Sequence, residues 1–199
     1  MSKLSERAML ASLHCGMWSG AAHDQEVTEE VSEQHKAASR DAGRYTKQLV
    51  SNKFLRHVGS KISVARRIHR LLTLPWEDDG TRILSTTGYL HYSEQMRLQR
   101  LGIEAAASEF VKGMPDYIKE AKERLGTMFD HEDYPASDEV RRKFYIDVEI
   151  KPVPEAGDFR AELSAASVRA ITADIEARSN ARIEAAMNDV FERIADATG

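Results

Sequence analysis

Apolar residues recur at spacings of three and four along most of this 199-residue chain, a pattern typical of helices that bury one face. The pattern predicts helices over residues 25–50, 54–73, 88–112, 115–129 and 164–197. Pro115 is expected at a helix start, where its missing N–H leaves no hydrogen bond unmade. The chain is therefore expected to be mostly helical.

Two short stretches alternate between apolar and polar residues, which indicates strands. Residues 9–17 alternate weakly, whereas residues 144–151 alternate throughout and are followed by two prolines. The predicted fold class is mainly α with a small antiparallel β-sheet (α+β) and a long C-terminal helix. We expect a helical core with the small sheet over residues 1–160 and an extended C-terminal helix over 161–199. Whether Gly199 is the natural end is left open.

Composition argues against export and membrane insertion. The single cysteine, Cys15, cannot form a disulfide within one chain, and the N-terminal residues lack the apolar core of a signal peptide. No run approaches the roughly 20 apolar residues that a spanning helix needs. We therefore expect a cytoplasmic protein without a membrane partner.

Charge is distributed unevenly along the chain. The formal net charge is -4, yet residues 35–70 contain ten Lys or Arg and a single acid, Asp41. Just upstream, residues 24–33 contain five acids and no base. Such asymmetry suggests a surface that faces a polyanion. The candidate nucleic-acid-binding residues are Arg44, Lys47, Lys53, Arg56, Arg66, Arg67 and Arg70.

A helical wheel of the second predicted helix separates an apolar side from an arginine side. Arg56, Arg66, Arg67 and Arg70 cluster opposite the apolar residues. Guanidinium groups suit phosphate, so such a row can follow a nucleic-acid backbone without reading its sequence. The alternative, that these arginines pair with the protein's own surplus of acids, is left open. His69 falls on the apolar side and is expected to be a buried core histidine.

Sequence motifs for catalysis and cofactor binding are largely missing. The seven histidines are scattered without a zinc-binding pattern, and neither a phosphate-binding glycine loop nor a nucleophile motif occurs. We therefore predict no metal, no cofactor and no enzymatic activity. One alternative stays open. Glu149 and Lys151 share one strand face with Asp147, and metal-dependent nucleases of the PD-(D/E)xK type place an acid and a lysine two residues apart in this way.

The last predicted helix is long for a small domain. Its apolar stripe ends with Ile183, Met187, Val190 and Ile194, which we predict to be a seam between copies of the chain in a homo-oligomer. Burial of the stripe against its own domain is the alternative. A helical adaptor or assembly protein that binds itself or a host protein is therefore a second functional hypothesis.

Several segments resemble a family of uncharacterised phage and prophage proteins, a domain of unknown function. They are "MWSG" (17–20), "DAGRYTKQL" (41–49), "LPWEDDGTRIL" (74–84), "DYP" (133–135) and "PVPEAGDFR" (152–160). The resemblance covers nearly all of the chain and implies a phage origin in the host-cell cytoplasm. It assigns no catalytic residue, because family members carry no assigned activity. Together with the charge pattern, it predicts a non-enzymatic phage protein that binds nucleic acid as an accessory in DNA metabolism.

Overall fold

The computed structural model of the chain describes residues 4–37, 43–154 and 165–198, with side chains from residue 168 in the last range. The helices are α1 (Leu4–Arg7), α2 (Gln25–Gln34), α3 (Asn52–Leu72), α4 (Tyr89–Leu125), α5 (Ser137–Arg142) and α6 (Ala165–Thr198), with a 3-10 turn at Gly126–Met128. The strands are β1 (Ala8–Gly16), β2 (Ala21–His23), β3 (Thr46–Gln48), β4 (Leu74–Pro75), β5 (Arg82–Ser85) and β6 (Tyr145–Pro152).

The predicted class is confirmed, because the chain is mainly helical with small antiparallel sheets and a long C-terminal helix. Both predicted strands are present, as β1 and β6. The helices predicted over 54–73 and 164–197 match α3 and α6 to within two residues at each end. Residues 38–42 of the helix predicted over 25–50 lie outside the described residues.

The helix predicted over 25–50 is wrong in its second half. α2 ends at Gln34, and Lys36 takes a left-handed φ of 51° soon afterwards. The later residues form β3, and Leu49 and Val50 that follow it are fully buried. The apolar residues of this stretch are spaced as in a helix. The buried ones nevertheless come from a short strand and the segment after it.

The two helices predicted on either side of Pro115 are one continuous helix, α4. Pro115 has no N–H to donate to the carbonyl of Val111, which weakens the helix locally. Apolar side chains before and after the proline are nevertheless buried at helical spacing, so tertiary packing outweighs the lost hydrogen bond. These side chains are Ile103, Phe110, Met114, Ala121 and Leu125.

The chain forms two compact units. Unit 1 contains residues 1–15, 63–100 and 146–199, and unit 2 contains residues 16–62 and 101–145. α3 and α4 each contribute one part to either unit. α6 belongs to the same unit as β4 and β5.

Unit 1 is built on a four-stranded sheet with the order β4-β5-β1-β6. β4 and β5 form an antiparallel hairpin whose turn contains Asp79 and Gly80. Gly80 has a φ of 94°, and the Asp79 carboxylate accepts a hydrogen bond of 2.9 Å from the Thr81 N–H. Successive residues of a strand point to opposite faces, and two apolar clusters accordingly cover the two faces of β1 and β5. One includes Leu10, Trp76 and Ile83, and the other includes Ala11, Leu84, Tyr92 and Met96.

Unit 2 combines the β2-β3 ribbon with an aromatic core. The ring of Phe110 lies 6.1 Å from Trp18, 5.4 Å from Phe144 and 5.3 Å from Tyr117, measured between centroids. Phe54 stacks on Tyr117 at 4.0 Å. Such edge and offset contacts add to the burial of the rings and fix the parts of α3 and α4 that belong to this unit.

The C-terminal half of α6 packs against other elements of unit 1. Ala186 is buried in the cluster of Trp76, and Ile183 packs against the same cluster. Arg182 forms an ion pair of 2.7 Å with Glu77, and its guanidinium lies 5.5 Å from the centroid of the Trp76 ring. Part of the apolar stripe of α6 is therefore covered by its own unit.

Candidate nucleic-acid interface

α3 is an amphipathic helix of 21 residues with the two sides that its sequence predicts. Leu55, Val58, Ile62 and Ala65 are buried on one side and hold the helix in place. The opposite side is exposed to solvent. The buried side supplies the packing, and the exposed side faces solvent.

The exposed side carries Arg56, Arg66, Arg67 and Arg70, which we call the α3 arginine face. Among the described residues, none of these four guanidinium groups forms an ion pair with a carboxylate. Arg66, Arg67 and Arg70 belong to unit 1 and span roughly 6 Å of the helix at about 1.5 Å of rise per residue, and Arg56 belongs to unit 2. The alternative that these arginines neutralise the protein's own acids has no support in the described part of the chain.

Two further arginines from distant parts of the sequence meet the C-terminal end of α3. Arg82 donates hydrogen bonds of 2.7 Å to the Thr73 hydroxyl and 3.0 Å to the Thr73 carbonyl. Arg193 of α6 donates one of 3.1 Å to the carbonyl of Arg70 and is paired with Asp189 at 2.7 Å. The last carbonyls of a helix lack partners within the helix and attract positive charge, so both arginines stabilise this end.

The charge at the end of α3 affects Arg82 itself. Burial lowers the pKa of Arg82, and the neighbouring positive charges of Arg193 and Arg70 lower it further. The sequence offered no signal for this cluster, because its members come from β5, α6 and α3. The cluster adds positive charge beside Arg70.

Lys47 is not part of the exposed surface. Its side chain is buried, and the ammonium lies 2.7 Å from the carboxylate of Asp133, 3.1 Å from that of Asp24 and 3.1 Å from the carbonyl of Met128. Burial opposes the charged form, but the two carboxylates more than offset it and raise the pKa of Lys47. The group is engaged inside unit 2 and is unavailable to a ligand.

Arg44 and Lys53 differ from each other in their surroundings. Arg44 is exposed just before β3. Lys53 is exposed at the start of α3 but lies 3.6 Å from the carboxylate of Glu120 and 4.7 Å from the centroid of the Phe54 ring. Lys53 therefore already has partners of its own, although exposed pairs of this kind are weak.

His69 is buried, as its place on the wheel predicts. Its Nδ1 lies 2.8 Å from the Tyr92 hydroxyl. Burial, followed by the charges of Arg82 and Arg70, lowers the pKa of His69 to about 4. The imidazole is therefore neutral at pH 7 and contributes no charge to the α3 arginine face.

The residues of the nuclease hypothesis lie on β6. Lys151 pairs with Glu149 at 2.9 Å, and this contact lowers the pKa of Glu149. His14 lies 3.7 Å from the same carboxylate, and Asp147 pairs instead with Arg100. Among the residues that the structure describes, no three His, Cys, Asp or Glu side chains are grouped so that they could hold a metal ion. The hypothesis continues to depend on Glu149 and Lys151.

The predicted oligomerisation residues of α6 divide into two sets. Ile183 and Val190 are half-buried and, together with Met187 and Phe191, line an apolar groove of about 230 Å³ in unit 1. Met187 and Ile194 are more than half exposed, and so is Phe191 between them. The exposed set is spaced as i, i+4 and i+7 and forms an apolar strip on the helix.

Comparisons of the chain with models of protein families, with curated proteins and with solved structures found no match. Within residues 4–37, 43–154 and 165–198, no helix combines the length and apolar character that crossing a membrane requires.

Proposed function

We propose that this protein is a non-enzymatic nucleic-acid-binding protein that contacts the phosphodiester backbone through the α3 arginine face. One observation carries the proposal: Arg56, Arg66, Arg67 and Arg70 lie exposed on one side of a well-anchored helix, with no carboxylate partner in the described part of the chain. Among the described residues, the acids of this acidic protein do not neutralise this surface.

The chemistry of the face favours the nucleic-acid backbone over the bases. Arginine presents a planar fork of donors that matches phosphate oxygens, and phosphate contacts position a protein without carrying sequence information. Between Arg56 and Arg66, Ser60 and Ser63 are exposed on the same side of the helix as the arginines, and His57 and Lys61 are exposed farther around it. We therefore expect binding that depends strongly on salt and little on sequence.

The test is fluorescence anisotropy with a labelled duplex, comparing the native chain with a variant in which Arg66, Arg67 and Arg70 are all changed to Ala. A matched control removes the same charge elsewhere, by changing Arg97, Arg169 and Arg178 to Ala. Because all six residues are exposed, we expect unchanged circular dichroism in both variants. Loss of affinity in the first variant alone supports the proposal, and equal loss in both contradicts it.

The resemblance to phage proteins suggests the setting of this activity. We propose an accessory role in phage DNA metabolism in the host cytoplasm. This setting depends on the quoted sequence segments alone, and the α3 arginine face supports only the binding of nucleic acid.

A second candidate function is assembly through α6. The strip of Met187, Phe191 and Ile194 supports it, because three large apolar side chains in a row are each more than half exposed. We predict a homo-oligomer. Changing Met187 and Phe191 to Asp should dissociate it without unfolding the chain, whereas Ile183 is a poor choice because it packs against the core. Light scattering decides: a native chain that is monomeric at tens of micromolar excludes this function.

A further inference from the structure

A second charged surface lies in unit 2, in a cleft of about 420 Å³ formed by α4, α5 and the first residue of β6. Its walls carry four charged side chains and one exposed aromatic ring. These are Glu104, Asp138, Arg141, Arg142 and Tyr145. We call it the Tyr145 cleft.

The ring of Tyr145 is held in place although about half of it is exposed. Phe144 points inward and packs edge-on against Phe110, so the alternation of the strand turns Tyr145 outward. The ring rests against Gly16. A Cβ at Gly16 would lie 2.6 Å from Cδ1 of Tyr145 and 2.8 Å from the carbonyl oxygen of Lys143, so only glycine leaves room for this placement. The result is a fixed aromatic surface that lines an open cleft.

The two arginines of the cleft are exposed at the end of α5. Neither Arg141 nor Arg142 forms an ion pair with a carboxylate of the described residues, whereas the adjacent Lys143 is paired with Glu139 at 3.2 Å. Val140, the neighbour on the other side, is fully buried and anchors the short helix. The guanidinium groups are therefore available to an anion beside the aromatic ring.

The acids of the cleft restrict what that anion can be. Glu104 and Asp138 place negative charge on the same walls, so a bare phosphate gains little here. A ligand that adds a flat ring with amino donors to its phosphate can use all of these groups. A nucleotide does so, because an exocyclic amino group donates to a carboxylate while the base stacks on an aromatic side chain.

We propose that the Tyr145 cleft binds one nucleotide of a single-stranded nucleic acid, with its base stacked on Tyr145 and its phosphate held by Arg141 and Arg142. A base paired within a duplex cannot offer its face in this way, so the cleft selects single strands. The proposal shares its ligand class with the proposed function but uses a separate set of residues.

The first experiment is fluorescence anisotropy with two labelled probes. One is a single strand of 15 deoxycytidines, called dC15, and the other is a 15-base-pair duplex. Tyr145→Leu should weaken dC15 binding roughly 5- to 150-fold, the range found when one base loses its aromatic partner. It should leave duplex binding unchanged. Tyr145→Phe keeps the ring and should bind like the native chain. Tyr89→Leu, which removes another partly exposed tyrosine, is the matched control.

The second experiment is photocrosslinking with dC15 that carries one 5-iododeoxycytidine. Stacking predicts a covalent adduct on the peptide that contains Tyr145, identified by mass spectrometry and lost in Tyr145→Leu. Changing both Arg141 and Arg142 to Gln should reduce the yield, because the phosphate loses its partners. An adduct confined to other peptides overturns the proposal.

The outcomes separate this proposal from the proposed function. Unchanged dC15 affinity in Tyr145→Leu, or dC15 binding that is absent while the duplex still binds, overturns the Tyr145 cleft alone. Unchanged duplex affinity after Arg66, Arg67 and Arg70 become Ala overturns the α3 arginine face alone. Competition by inorganic phosphate as effective as that by dCMP would also contradict a site that recognises the base.

Discussion

The buried ion cluster around Lys47 makes the sharpest prediction about stability. Replacing Lys47 with Met keeps much of the side-chain volume and removes the charge. The carboxylates of Asp24 and Asp133 then face each other without their shared cation, and the carbonyl of Met128 loses its donor. Lys47 and Asp24 are each only 8% exposed, so solvent cannot replace the lost contacts. Leaving a buried charge unpaired costs about 3–5 kcal/mol, which is a large part of a typical folding free energy.

The assay is urea denaturation at pH 7, followed by circular dichroism and by the fluorescence of the two tryptophans, of which Trp18 reports on unit 2. Lys53→Met is the matched control, since Lys53 is exposed and its pair with Glu120 is worth no more than about 1 kcal/mol. A free-energy loss below about 1 kcal/mol for Lys47→Met would refute the reasoning.

Removing the two carboxylate charges that Lys47→Met leaves unpaired should restore part of the stability. Changing Asp24 and Asp133 to Asn in the Lys47→Met chain leaves no unpaired ion, and Asn still caps α2 as Asp24 does through the Val27 N–H. We expect about 1–3 kcal/mol of the free energy of unfolding to return.

The ion cluster around Lys47 also predicts a pH dependence of stability. The hydrogen bond from Val27 and the charge of Lys47 lower the pKa of Asp24 below its ordinary value of 3.8. Its contribution is therefore complete above that value and is lost as pH falls through the lower folded-state pKa.

Two further predictions concern His69 and the nuclease hypothesis. The pKa of His69 is about 4 in the folded chain against an ordinary 6.5, so the unfolded chain takes up the proton first and stability should fall by up to about 3 kcal/mol between pH 6.5 and 4. His69→Gln should flatten that part of the urea-midpoint profile, and an unchanged profile would count against the assignment. We also expect no cleavage of DNA with Mg²⁺ or Mn²⁺. Cleavage that disappears in both Glu149→Gln and Lys151→Ala would instead establish a phosphodiesterase site.

The fold class could be predicted from the sequence because burial on one face leaves a clear period in the apolar residues. Where prediction went wrong, tertiary packing had overridden a local rule. α4 continues through Pro115 because residues on both sides are buried in unit 2. The sequence around Pro115 contains no pattern that predicts this. The strand β3 was hidden because it is only three residues long and is followed by two buried residues, Leu49 and Val50.

The candidate site was only partly visible in the sequence. The α3 arginine face follows directly from helical geometry, since the face opposite a buried stripe must be exposed. Lys47 was grouped with it because its neighbours in sequence are basic, whereas its partners Asp24 and Asp133 come from distant segments. The Tyr145 cleft corresponds in the sequence to a run of basic and aromatic residues, Arg141, Arg142, Lys143, Phe144 and Tyr145. Whether these side chains can bind a ligand depends on which of them already have partners.

The central claim is that the α3 arginine face binds phosphates, and the salt dependence of duplex binding tests it most directly. Four neutralised phosphates predict a slope of about -3.6 in a plot of log Kobs against log salt, or about 150-fold weaker binding at 200 mM than at 50 mM salt. The variant with Arg66, Arg67 and Arg70 changed to Ala should retain a slope of only about -0.9. No binding by the native chain even at low salt, or the same slope in both proteins, would contradict the account.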